Sequence, residues 1–170
     1  MKAILHPVLV PLRTWPNSRQ WFNSTAVIGL VGAAVLIIAT VGGMAGWNPA
    51  PADGGSLKIA LILFVFPALG EELLFRGLLH PSKNASNRIP KMAAIIGLFI
   101  LWHVAQAVSG IGPAWASVFL EPTFLTCVAM LGVGLAALRE MTGSLWPSVL
   151  CHWAVVAGWK LMFDGPIGPP

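Results

Sequence analysis

The chain has 170 residues, of which 56% are apolar and only 9% charged, against about 25% charged residues in soluble domains. Too little charge is present to cover a water-facing surface, and too much apolar mass for a disordered chain, so both are excluded. The net charge of +4 is scattered between apolar runs with no basic stripe, which argues against a nucleic-acid partner. An integral membrane protein remains, with the lipid bilayer as its first partner.

Residues 1–24 form an N-terminal cytoplasmic or interfacial segment. Its apolar run, 3–12, contains Pro7 and Pro11 and is too short to span a bilayer. No small-x-small cleavage pattern follows it, so a removed signal peptide is not expected. Residues 25–163 are expected to form the membrane domain. The uncharged run 25–47 is the clearest span, and residues 48–56, with two Pro and two Gly, read as a loop. Residues 57–79 are long enough to span and carry Lys58, Glu71, Glu72 and Arg76. A basic loop, 80–91, precedes an apolar run, 92–108, that contains His103. Residues 109–121 read as irregular or re-entrant. Pro122 suits the first turn of a helix to about Leu138, with Glu121 beside its positive end. After a turn at Thr142-Gly143, residues 144–163 form a last apolar helix, and 164–170 a tail. The predicted fold is an all-α polytopic bundle of about five membrane helices, with site residues on three of them.

Loop charge orients the bundle. With the N-terminus in the cytoplasm, seven basic residues (Lys2, Arg13, Arg19, Lys83, Arg88, Lys91 and Arg139) fall inside and two (Lys58 and Lys160) outside, as the positive-inside rule predicts. On that orientation the site is expected to open toward the cytoplasmic leaflet. The expected location is a bacterial or archaeal plasma membrane.

A carboxylate in the bilayer costs about 2.5–3.5 kcal/mol on insertion scales, so the adjacent Glu71 and Glu72 need partners or a use. Arg76 lies four residues after Glu72 and can offset it. Adjacent helical residues point about 100° apart, which leaves Glu71 needing another partner. At about 1.5 Å per residue, Glu71 and His152 lie roughly 12 Å deep and His103 roughly 16 Å deep. Three helices thus place Glu, His and His in one layer. Two chemistries fit. Glu71 can act as a general base on water, with one histidine holding the water and the other stabilising an oxyanion. Alternatively Glu71, His103 and His152 can ligate zinc, although the H-E-x-x-H spacing is absent. Buried Glu/His layers also serve proton relays. Among neighbouring groups, Gln106 can donate a hydrogen bond. Ser148, Trp102 and Trp153 read as packing, His6 and His80 as interfacial, and Cys127 and Cys151 as small buried hydrophobes.

Gly70-Glu71-Glu72-Leu73-Leu74-Phe75-Arg76-Gly77 fits an E-E-x-x-x-R motif, and Phe99-Ile100-Leu101-Trp102-His103 an F-x-x-x-H motif. The stretch Thr142 to His152 fits the approach to a third, histidine-bearing motif. In this order over residues 57–160 the chain resembles the CPBP family, the CAAX-protease and bacteriocin-processing (Abi) intramembrane proteases. The resemblance implies a glutamic-type endopeptidase that needs no metal cofactor. Glu71 would activate water and His103 help position it, while His152 would serve the oxyanion hole. Glu72, Arg76 and Phe99 would support them. The implied substrate is a membrane-associated peptide, lipidated in the CAAX case. The family usually carries Asn or Asp four residues after the last histidine, whereas this chain has Val156. That departure keeps open a weak or inactive member that acts as a membrane binding or immunity protein.

Overall fold

The computed structural model describes residues 2–166, so 167–170 of the expected tail lie outside the described residues. All of the named elements are helical. They are α1 (Lys2–Arg13), α2 (Ser18–Val41), α3 (Gly54–Leu63), α4 (Gly70–Glu72), α5 (Arg88–Ser109), α6 (Pro122–Thr142) and α7 (Trp146–Met162). Two π-helical turns, Phe64–Leu69 and Leu73–Leu78, flank α4, and a 3-10 turn, Ala116–Leu120, precedes α6.

Local chemistry accounts for the element ends. Asn17 and Gln20 close a reciprocal capping box at the start of α2, which satisfies two otherwise free backbone donors. The Asp53 carboxylate accepts from the Ser56 amide at 2.9 Å and starts α3. Pro122 occupies the first turn of α6, and Gly143 ends that helix with φ +68°, a left-handed conformation that glycine adopts without penalty. α1 continues through Pro7 and Pro11. It is tied to the turn before α7, where the Leu145 amide donates to the Pro11 carbonyl and the Trp146 indole to the Leu12 carbonyl.

Among the described residues three helices, not about five, are long and apolar enough to cross a membrane: Ser18–Val41, Arg88–Ser109 and Pro122–Thr142. The expected span over 57–79 is interrupted. Phe66 is extended (φ −143°, ψ 116°), because a residue before proline is pushed out of the helical region, and here Pro67 follows. The last helix has 17 residues and rises only about 26 Å, short of the roughly 30 Å hydrocarbon thickness. Three spans make the chain a multi-pass integral membrane protein, and apolar side chains such as Leu30, Ile37, Leu101 and Val133 face outward from them.

The core lies where α2, α5, α6 and α7 meet, around Val31, Val35, Phe99, Leu131, Leu135 and Cys151. At Gly134 an added Cβ would lie 2.4 Å from a Val31 methyl, so the absence of a side chain there sets the close approach of α2 and α6. These helices enclose the short interrupted segment that carries both glutamates.

Candidate active site

Glu71 and Glu72 occupy one helical turn between two π-turns, a local irregularity common at functional sites. Both are buried, at 5% and 0% exposure. They nevertheless have different surroundings.

Glu72 is closed in. Its Oε1 accepts from Arg76 Nη1 at 3.1 Å and from His152 Nδ1 at 3.1 Å, while its Oε2 is buried without a hydrogen bond and away from the cavity. Arg76 also donates to the Gly132 carbonyl at 3.1 Å, and its guanidinium lies 4.4 Å from the centre of the Phe99 ring. Arg139 Nε donates in turn to the Arg76 carbonyl. The buried cation thus has a carboxylate, a carbonyl and an aromatic face.

Glu71 is open. The Trp102 indole donates to Oε1 at 2.9 Å. Oε2 is buried without a hydrogen bond and lies 3.9 Å from His152 Nε2, beyond direct hydrogen-bond range. A carboxylate only accepts, so His152 donates Nδ1–H to Glu72 and turns Nε2 toward Glu71.

His103 Nδ1 lies 2.8 Å from the Phe99 carbonyl. A carbonyl also only accepts, which assigns the proton to Nδ1 and leaves Nε2 as the acceptor in neutral imidazole. The Phe99 ring meets both imidazoles edge to face, at 5.0 Å from His103 and 5.8 Å from His152. One aromatic side chain therefore spaces the two histidines.

A cavity of about 610 Å³ opens beside these groups. Glu71, Phe99, His103, Gln106, His152 and Val156 line it, whereas Glu72 and Arg76 do not. Its walls run from this layer along α2, α5 and α7 toward Gly112, Trp115 and Lys160. That end lies at the C-terminal ends of α5 and α7, away from the basic loop 80–91.

The structure thus brings Glu71, His103 and His152 to one cavity, with Phe99 between the histidines and Gln106 on its wall. Among the described residues no group of three His, Cys, Asp or Glu side chains is arranged to hold a metal.

Several contacts are not legible from spacing. Trp102, read as packing, is a donor to Glu71, and nothing in an apolar run distinguishes a donating indole from a space-filling one. His80, read as interfacial, pairs through Nε2 with Glu140 Oε1 at 2.5 Å, and Arg88 bonds the same carboxylate oxygen. Burial is the main influence on His80 and lowers its pKa despite the Glu140 contact. Ser148 donates to the Leu135 carbonyl and Trp153 to the Ala60 carbonyl, so both tie helices together as well as pack.

Neither the search of curated proteins nor the search of solved structures found a match. The family model described as Type II CAAX prenyl endopeptidase Rce1-like matches residues 53–158. That stretch contains both glutamates, both cavity histidines and Arg76, and it is more than half of the chain. The chain belongs to the Type II CAAX prenyl endopeptidase Rce1-like family.

Proposed function

We propose that the protein is an intramembrane endopeptidase of the glutamic type. The observation that carries this reading is Glu71 Oε2, a buried carboxylate oxygen with no protein partner beside two imidazoles and an apolar cavity. Trp102 occupies Oε1 and leaves Oε2 for water. Water held there donates one hydrogen to Glu71 and the other to Nε2 of neutral His103. Glu71 takes the first proton as hydroxide adds to the substrate carbonyl carbon. The resulting oxyanion accepts a hydrogen bond from His152 Nε2 in its imidazolium form, which Glu72 orients through Nδ1. Collapse of the adduct breaks the C–N bond, and Glu71 returns its proton to the leaving amine. Arg76 stabilises Glu72, and Phe99 spaces the imidazoles. No step uses a metal ion.

The substrate is a membrane-associated peptide, with the lipidated CAAX class favoured by family membership. The test is cleavage in liposomes of membrane-derived and prenylated CAAX-type peptides, read by mass spectrometry, with and without chelator. Glu71→Gln is expected to reduce cleavage about 10²–10⁴-fold, and chelator to leave it unchanged. Undiminished cleavage by Glu71→Gln would remove this assignment.

A second reading rests on Val156, which lines the cavity one turn beyond His152 and offers no donor. The same cavity then serves as a binding site in a member with little or no catalysis. Binding of a membrane peptide without turnover, together with turnover gained in Val156→Asn, would favour it.

A further inference from the structure

One polar side chain on the cavity wall takes no part in the chemistry at Glu71. Gln106 lines the cavity on α5, three residues beyond His103, a rise of about 4.5 Å. Its primary amide offers two N–H donors and an accepting oxygen. The side-chain hydrogen bonds of α5 among the described residues belong to Arg88, Trp102, His103 and Ser109, which leaves this amide to the cavity. The wall facing it is α7. The Phe99 ring packs against both imidazoles, and Val156 follows His152 by one turn, so Val156 and Gln106 stand at similar levels. Val155, Val156 and Gly158 line the cavity there without a side-chain donor or acceptor.

The loop after α5 fixes the backbone from which this amide projects. The Gln106 carbonyl is in the last turn of α5, where carbonyls lack intrahelical partners. Gly110 ends the helix with φ +73°, and the Gly112 amide donates back to the Gln106 carbonyl at 3.1 Å. An added Cβ at Gly112 would lie 2.8 Å from the Ala116 Cβ and 3.0 Å from that carbonyl oxygen. The lack of a side chain at Gly112 thus lets the loop fold back and pin Gln106.

An extended peptide in this cavity leaves water, and each of its buried peptide groups then needs a partner. With one bond held at Glu71 and His103, the next peptide group lies about 3.3–3.6 Å further along, close to the rise that separates Gln106 from His103. We propose that Gln106 is a specificity-determining residue whose Oε1 accepts from the main-chain N–H of the peptide group next to the cut bond, on the side toward Gly112. Such a contact reads backbone rather than side chain, so it selects an extended peptide group at that position whatever the sequence. The inference rests on the protease reading for its purpose, but the contact is measurable without hydrolysis.

The test uses the full chain with Glu71→Gln, reconstituted in phosphatidylcholine nanodiscs. The probe is a heptapeptide of Leu, Val and Ala around one central Phe, acetylated and amidated so that neither end is charged. Analogues replace each peptide N–H in turn by an ester oxygen, and calorimetry reads binding. One ester analogue is expected to bind about tenfold more weakly than the parent, and Gln106→Met to abolish that difference. Gly112→Ala, which crowds the Gln106 carbonyl, reduces it. A merely structural role for Gln106 would weaken parent and analogues alike in Gln106→Met and keep the difference between them. Circular dichroism checks that each variant is folded, and the ester series with Gln106 in place needs no variant at that position. Equal binding across the series overturns the contact, as does a difference that survives Gln106→Met or the absence of any peptide binding. If the ester difference holds while wild-type protein cleaves no peptide, the protease reading fails and the backbone contact stands.

Discussion

The bundle has two halves that treat buried polarity in opposite ways. Toward the basic loops, Glu72, Arg76 and His152 share hydrogen bonds among side chains that are almost fully enclosed, including Leu135, Leu138 and Leu145. Toward the other end, Glu71 Oε2 and Trp115 Nε1 border a large apolar cavity with no hydrogen-bond partner among the described residues. The contrast is sharpest across one peptide bond. Both leave Oε2 without a hydrogen bond, but Glu72 has two side-chain donors on Oε1 and lies off the cavity, whereas Glu71 has one donor and lines it. Charge that stabilises a fold is paired and sealed from ligands. Charge available to a ligand has its free atom on the cavity.

The strongest way to break the comparison is to unbalance the closed half. Arg76→Met leaves Glu72 buried without its cation, with an expected cost of about 3–5 kcal/mol. Thermal unfolding in detergent should show a large drop in Tm, partly restored by adding Glu72→Gln. A small change would mean that Glu72 is not held as an ion in the folded protein.

A change in the open half should alter activity before stability. Val156→Asn adds a donor on the cavity wall, and one oxyanion donor is worth about 2.7–4 kcal/mol in the transition state. The expected result is a gain in kcat of up to about 10²–10³-fold with little change in Tm. A loss of activity would instead make Val156 part of the substrate contact.

Trp102→Phe tests the join between the halves. It removes one hydrogen bond to a carboxylate, worth about 1.5–3 kcal/mol, and keeps the ring. Both oxygens of Glu71 then compete for water. The pH–rate profile should shift while peptide binding in the Glu71→Gln background stays the same. An unchanged profile would return Trp102 to a packing role.

The smallest effect concerns His80 at the basic end. Burial lowers its pKa in the folded protein, so the unfolded chain binds the proton more readily. Stability should be full above the ordinary histidine value of about 6.5 and decline as pH falls below it. Comparing Tm at pH 7.5 and pH 5.5 checks this, and His80→Asn should remove the decline that belongs to this residue.

Much of the site is readable from one chain because membrane burial makes charge conspicuous. Glu71, Glu72 and the two intramembrane histidines stand out against apolar runs, and helical rise places them in a common layer. The Glu72–Arg76 pair also follows from their four-residue spacing, and the structure contains it. The number of spans does not follow, since hydropathy over 57–79 conceals the extended Phe66 before Pro67. Depth is not direction either. Spacing alone shows neither that His152 faces Glu72 through Nδ1 nor that His103 binds the Phe99 carbonyl.

By itself, then, the sequence determined a helical membrane protein, the residues that carry its charge, and their approximate depth. Composition and helical periodicity are local properties, and they act before any helix meets another. Only the tertiary structure decided which glutamate is sealed and which is open, on which side of the site the cavity lies, and that Lys160 stands at its far end. Those outcomes depend on how helices rotate and approach one another, as where Gly134 admits Val31 or Phe99 separates the imidazoles. Rotation about a helix axis changes every side-chain partner while leaving the order of residues along the chain unchanged.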